Sequence, residues 1–395
     1  MLLAGDNAAM TRRLGATALA GLTALAIAMG IGRFAFTPIL PMMLGDAGLT
    51  VAQGGWLASA NYVGYLVGGI SAVALGMGPA RVIRVGLAAV GVSTLAMGLS
   101  DGFVPWLAWR GIAGVASAWV LVFASSWCLE QFAAHAREQQ RAVLGAAVFA
   151  GVGVGITFTG LACVALLVSH VSSRTAWIAL GIVSLAGCAA LWNRFGDVSA
   201  AVTTPAQAVA HRDRAWLPLI ACYGAFGFGY IIPATFLSAM AREAFPDPAV
   251  YGWSWPVFGT AAALSTFAAA ALRRRLSDRA LWIAGHFAMA VGVLVPLATK
   301  GLGGIVASAL LVGGTFMVVT MAGIQEARRV AGPRARELIA AMTSSFAAGQ
   351  IAGPLLVSYL AARGEGYSLA LAAAGAALIA SAIVLFFIPS EPRTS

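Results

Sequence analysis

The sequence predicts an all-α membrane protein of twelve transmembrane helices, arranged as two pseudo-symmetric six-helix bundles, and three observations carry that reading. Of the 395 residues, 60% are hydrophobic and only 10% are charged, against about a quarter charged in ordinary soluble domains, and no soluble fold hides that much apolar surface. The apolar residues fall into helix-length runs separated by short polar connections. Motifs of the first half recur in the second at a fixed spacing of 197 residues.

The first run extends from Leu14 to Leu44. Arg12 and Arg13 ahead of it resemble the start of a secretory signal, but the apolar region is too long and lacks an Ala-x-Ala site, so it reads as the first span. Its centre, AMGIGRFAFTPILPMM, holds one charge, Arg33. A guanidinium does not deprotonate in a protein, and in hydrocarbon it costs from about 3 to more than about 10 kcal/mol. Arg33 therefore faces a protein interior or a watery cavity; a tie to carbonyls of a neighbouring helix and snorkelling to the surface remain open beside substrate contact.

The later spans are expected near 52–75, 82–100, 104–131, 142–169, 175–193, 215–240, 250–272, 280–299, 302–327, 338–361 and 368–388. Alternate connections are basic. One set carries Arg12, Arg13, Arg81, Arg84, Arg137, Arg141, Arg194, Arg212, Arg214, Arg273 to Arg275, Arg279, Arg328, Arg329, Arg334, Arg336 and Arg393; the other carries only Arg174, Arg242, Lys300 and Arg363. By the positive-inside rule the first set and both termini are cytoplasmic, as in a bacterial-type inner membrane protein. Arg33 in span one and Arg110 in span four are then the only basic residues inside spans.

The duplication pairs Gly30-x-Gly32-Arg33 with Gly227-x-Gly229-Tyr230, Gly55-Trp56 with Gly252-Trp253, and Phe149 with Phe346; Glu130 and Glu326 correspond one residue off that shift. Two parallel halves follow, 1–193 and 215–395, joined by a cytoplasmic loop at 194–214. The net charge of +10 lies in short clusters between spans, which argues for membrane orientation and against nucleic acid. The four cysteines lie in apolar stretches without metal-ligand spacing, the histidines form no cluster, and no Gly-x-x-x-x-Gly-Lys-Ser/Thr string is present, so no metal, cofactor or ATP site is expected.

At this point the residues resemble the major facilitator superfamily (MFS). Its fourth-helix pattern appears as Arg110-Gly111-Ile112-Ala113-Gly114, and its Asp-Arg loop turn as Leu276-Ser277-Asp278-Arg279; the first-half loop, Gly76 to Arg81, lacks the aspartate. The fifth-helix antiporter pattern has Gly151, Gly153, Gly155 and Gly160 but no proline. GIGRFAFTPILPMM and Asn61-Tyr62-Val63-Gly64-Tyr65 resemble the YbfB/YjiJ subgroup. The resemblance implies an MFS fold in which spans one and seven line a central cavity, and a link between Arg110 and proton coupling; a helix-packing tie is the alternative role for Arg110.

The candidate cavity residues are Arg33, Asn61, Tyr65, Arg110, Trp119, Tyr230, Trp253 and Gln350, with Trp127 and Trp255 as further wall residues. Asn61 and Tyr65 stand one turn apart on one helix face. The coupling or gate candidates are Arg110, Glu130, Asp278, Arg279 and Glu326, with Glu130 expected to pair with Arg137 and Glu326 with Arg329. No Asp or Glu lies near the middle of any span, and His286 in span nine is a group that could titrate, with a core or loop-facing role expected. The reading is a monomeric secondary transporter for a small organic solute, anionic or amphipathic, with proton coupling as one possibility. The alternatives are a non-transporting sensor or scaffold, and a membrane-embedded transferase, for which a clustered base or nucleophile is lacking.

Overall fold

The computed structural model describes residues 2–72, 74–196, 216–245, 247–273, 275–299 and 301–388. Among them there is no strand. The helices are α1 (Leu2–Leu25), α2 (Phe36–Asp46), α3 (Val51–Ser71), α4 (Pro79–Leu99), α5 (Phe103–His135), α6 (Glu138–Val168), α7 (Ser173–Leu191), α8 (Leu217–Ala244), α9 (Pro248–Tyr251), α10 (Ser254–Leu272), α11 (Asp278–Ala298), α12 (Leu302–Ala331), α13 (Ala335–Ala361) and α14 (Ser368–Phe387). The connection expected at 194–214 lies, from residue 197 on, outside the described residues.

Eleven described helices are long and apolar enough to cross a membrane. The remaining candidate, α3, has 21 residues and falls short on composition, because Gln53, Ser59, Asn61 and its glycines dilute the apolar run. The chief departure from the sequence reading is span one, which is not one helix over 14–44. Helix α1 begins at Leu2, passes into a π-helical turn at Ala26–Ile31, and gives way to an irregular turn before α2. The Gly32 and Phe34 N–H groups reach back five residues, to Ile27 O and Met29 O, each at 3.0 Å. Pro38 helps explain why the ladder does not resume at once: it has no N–H to offer Phe34 O, which accepts from Thr37 N at 3.2 Å instead, while Pro41 lies inside α2.

Packing repeats between the halves. In the first, α3 and α4 lie along α5, α4 along α7, and α1 along α6; in the second, α10 and α11 lie along α12, α11 along α14, and α8 along α13. Between halves, α3 meets α13, α6 meets α10, and α2 meets α8. The first two pairs exchange under a twofold rotation; α2 and α8 lie on its axis. The hydrogen bonds mark that axis directly. Arg33 bonds Tyr230 and Thr37 bonds Ala234, each pair 197 residues apart, the duplication spacing itself. Residues related by a twofold touch only at the axis.

The hydrogen bonds between halves among the described residues crowd from mid-helix toward one end, opposite the arginine-rich connections. Thr37 Oγ1 donates to Ala234 O at 2.7 Å, Tyr62 Oη meets Thr235 Oγ1 at 2.9 Å, and Ser358 Oγ donates to Ala52 O at 2.8 Å. Ser59 Oγ donates to Ile351 O at 3.2 Å, and Arg242 Nη1 donates to Pro41 O.

The π-helical turn packs against α6 so closely that a Cβ on Gly30 would overlap the Gly155 backbone. Neither side can retreat, since both are main chain. Gly30→Val is therefore expected to destabilise the protein by about 1–3 kcal/mol or more. Thermal unfolding of the purified variant in detergent measures this, and an unchanged midpoint would contradict the packing.

Candidate functional site

Where the first span breaks, the carbonyls of Gly32 and Arg33 lose their helical donors. Inside a membrane such groups need partners, at several kcal/mol if left bare. Two side chains supply them, and a third holds the π-helical turn just before. Arg110 donates through Nη1 to Gly32 O at 3.3 Å and through Nη2 to Arg33 O at 3.1 Å. Asn61 Nδ2 donates to Gly32 O at 3.3 Å and to Arg110 O at 2.9 Å, tying three segments together. Ser117 Oγ donates to Ala28 O at 2.7 Å. Arg110 forms no ion pair among the described residues, and its head lies over the Phe36 ring at 4.9 Å.

Arg33 faces the other way, toward α3 and α8. It is 3% exposed, at the level of mid-α8, so it does not snorkel. Its Cζ lies 4.1 Å from the Tyr65 ring centre and 5.1 Å from those of Tyr62 and Phe34. Its hydrogen bond to Tyr230 is long, Nη2 to Oη at 3.5 Å, and Nε has no partner. Cation–π contacts worth about 2 kcal/mol when desolvated stabilise the head without neutralising it.

Opposite the guanidinium stands an aromatic wall. The Tyr230 ring stacks between Phe316 and Phe346, centroids 5.7 and 5.6 Å away, and its hydroxyl is also engaged by Gln350 Nε2. Phe258 stacks on Phe316 at 5.9 Å and on Trp255 at 4.8 Å, and Trp255 reaches Phe34 of the first span at 6.2 Å.

The family described as "Uncharacterised MFS-type transporter YbfB" matches residues 25–386. The chain belongs to this MFS family. It is thus a transporter-family membrane protein and not an enzyme. Among solved structures, the crystal structure of a D-xylose–proton symporter superposes with a TM-score of 0.75 over 96% of this chain and 99% of that chain, at 12% identity, a likeness that shows the shared fold. No curated protein sequence matches.

Within the MFS frame, the structure brings together Arg33, Tyr65, Tyr230 and Gln350, and places Asn61 and Arg110 behind them as supports of the backbone. Two expected wall residues lie elsewhere. Trp253 is 50% exposed at the start of α10, and the buried tryptophan of that segment is Trp255. Trp119 donates to Ser71 Oγ at 3.0 Å, six residues and hence about 9 Å along α3 from Tyr65. Trp127 packs edge-on against Phe195.

The gate candidates separate too. Glu326 is buried and holds both Arg279 at 2.7 Å and Arg329 at 2.6 Å, while Arg279 also donates to Ile388 O. Asp278 pairs with Arg273 at 2.7 Å. Glu130 is exposed and, against expectation, forms no ion pair with Arg137 among the described residues; it lies within the last two turns of α5, whereas Arg137 caps the start of α6. His286 lies in the core between Trp282 and Ser381. Sequence reasoning passed over Tyr62, Phe316 and Ser117. Tyr62 had a usable signal, since it lies three residues before Tyr65 and so shares its face.

Arg110→Met is expected to strand the Arg33 carbonyl at about 1–3 kcal/mol, leaving Gly32 O to Asn61 alone, and Arg110→Lys to recover only part because a point charge lacks the fork. Trp253→Ala should leave thermal stability within about 0.5 kcal/mol. Denaturation midpoints of the three variants in detergent check this, and equal losses in all three would refute the assignment.

Proposed function

We propose that the protein is a secondary active transporter of a bacterial-type inner membrane, carrying a small organic anion or amphipath through a central site at Arg33 by alternating access. The observation that carries the proposal is a buried guanidinium on the twofold axis with no carboxylate beside it among the described residues. A cation held at the junction of two halves, where the duplication itself leaves room for both to reach one solute, suits a ligand that bridges them. The units that rock are the halves 1–193 and 215–395, turning about α2 and α8.

Loop charge supports a cytoplasmic location for both termini and for the arginine-rich end. The interbundle bonds at the other end then correspond to a conformation shut toward the outside. Those bonds are neutral for the most part, at about 1 kcal/mol each, so solute contacts suffice to offset their rupture. The Glu326–Arg279–Arg329 cluster, with Asp278 at its flank, fits a cytoplasmic-side hinge of the second half. Proton coupling, which belongs by name to the D-xylose–proton symporter, would need a titratable group along the path in this chain. The described carboxylates lie within the terminal two turns of helices or in connections, which favours a proton carried by the solute or none.

Cysteine labelling in liposomes tests the rocking, in a background with Cys128, Cys163, Cys188 and Cys222 replaced by alanine. Thr343→Cys shares a face of α13 with Gln350 and should react from the arginine-rich side; Thr235→Cys, now buried, should react only from the other side. The expected result is reciprocal reactivity, one rising as the other falls. A rigid sensor or scaffold would leave Thr235→Cys unreactive under all conditions.

A further inference from the structure

The charge and shape of the site specify its ligand. Arg33 supplies one guanidinium whose Nε is unpartnered and whose hydrogen bond to Tyr230 Oη is long, at 3.5 Å. No other unengaged cation stands beside it among the described residues, because both Nη groups of Arg110 are held by Gly32 O and Arg33 O. One charge with a forked edge matches one carboxylate. A second negative charge would find only Arg110, whose Nη groups already serve Gly32 O and Arg33 O, and would lack a hydrogen-bonded partner of its own, which is the costlier arrangement. A phosphate monoester, with its extra charge and acceptors, meets the same difficulty.

The rest of the surface is flat and aromatic. Tyr62 and Tyr65 flank the guanidinium, and the Tyr230 ring is nearly parallel to Phe316 and Phe346, at 5° and 8°. An aromatic wall of this kind favours a planar apolar body packed against it. The unpaired Trp255 Nε1 and Gln350 Oε1 leave a donor and an acceptor in the same region for a single polar substituent.

We propose that the Arg33 site takes an amphipathic monocarboxylate, one carboxylate on a planar aromatic body, with the carboxylate on Arg33 and the body against the rings around Tyr230. This rests on the reading of the site as the transport site and narrows its cargo.

The experiment uses purified full-length protein in detergent, with binding followed by calorimetry and by thermal shift. The probes are naphthoate, its neutral isostere naphthamide, naphthalene dicarboxylate, naphthylmethylammonium and cyclohexanecarboxylate. Naphthoate is expected to bind about 10- to 100-fold more tightly than the amide and the dicarboxylate, and more tightly than the saturated acid; the ammonium should give no shift. Arg33→Gln should bring acid and amide level, and Tyr65→Leu should weaken both while keeping their order. The acid-to-amide comparison on the wild type stands even if Arg33→Gln does not fold. Equal binding of acid and amide, preference for the dicarboxylate or the ammonium, or no binding of naphthoate would each overturn the proposal. Any of these results alongside reciprocal labelling of Thr235→Cys and Thr343→Cys would remove the cargo class and leave the transport reading, whereas loss of reciprocal labelling removes the transport reading itself.

Discussion

A backbone carbonyl inside a bilayer must find a donor, and much of this structure answers to that constraint at Gly32 and Arg33. The break in the first span turns the Arg33 side chain toward α3 and α8 at mid-helix. The same break frees two carbonyls that Arg110 and Asn61 then hold. An arginine suits this task because its planar fork reaches two oxygens at once and its positive charge strengthens each bond. Arg110 therefore fixes where Arg33 stands without needing to touch a solute. Close approach of Gly30 to Gly155 completes the arrangement by letting α6 support the π-helical turn main chain to main chain.

The twofold axis gives that geometry its significance. Arg33 and Tyr230 descend from corresponding positions of a duplication, yet one is a cation and the other a phenol, and they meet across the axis. A symmetric pair of arginines there would repel, and a symmetric pair of tyrosines would offer no charge. The observed pair puts a cation on one side of the axis and an aromatic ring on the other.

Much of this was legible in the sequence, and the reason is that apolar length and charge placement act over whole segments. The spans, the parallel duplication and the correspondence of Arg33 with Tyr230 all follow from features that survive an error of several residues. What was not legible depends on rotation about a helix axis. Trp253 and Trp255 are two residues apart, hence about 200° around the helix, and α10 is apolar on every side, so hydropathy could not say which one faces inward. The ion pair assigned to Glu130 and Arg137 failed because Glu130 is still inside α5 while Arg137 lies past its end, at the start of α6, where no helical period fixes side-chain direction. The broken first span was signalled by Gly30, Gly32, Pro38 and Pro41, but apolar character alone reads straight through such a break.

The two halves also show why the support of the first span is a unit. Helix α8 carries Gly229 and Tyr230 at the positions answering Gly32 and Arg33, but it runs unbroken from Leu217 to Ala244, and there only Gly229 O loses its helical donor, to Pro233, which has no N–H. The second half correspondingly lacks the donors. Asn61 is answered by Phe258, Arg110 by Val306 or Ala307, and Ser117 by Gly313 or Gly314, according to whether the local offset is that of Glu130 and Glu326 or that of Arg33 and Tyr230. Buried polar groups without partners are costly, so Asn61, Arg110 and Ser117 are favourable only where a broken helix accepts from them. Where the helix is continuous the same places hold apolar or small residues, and one of them, Phe258, stacks into the aromatic wall. Breakage of one helix and its absence in the other thus account together for the polar side of the site and for the aromatic side.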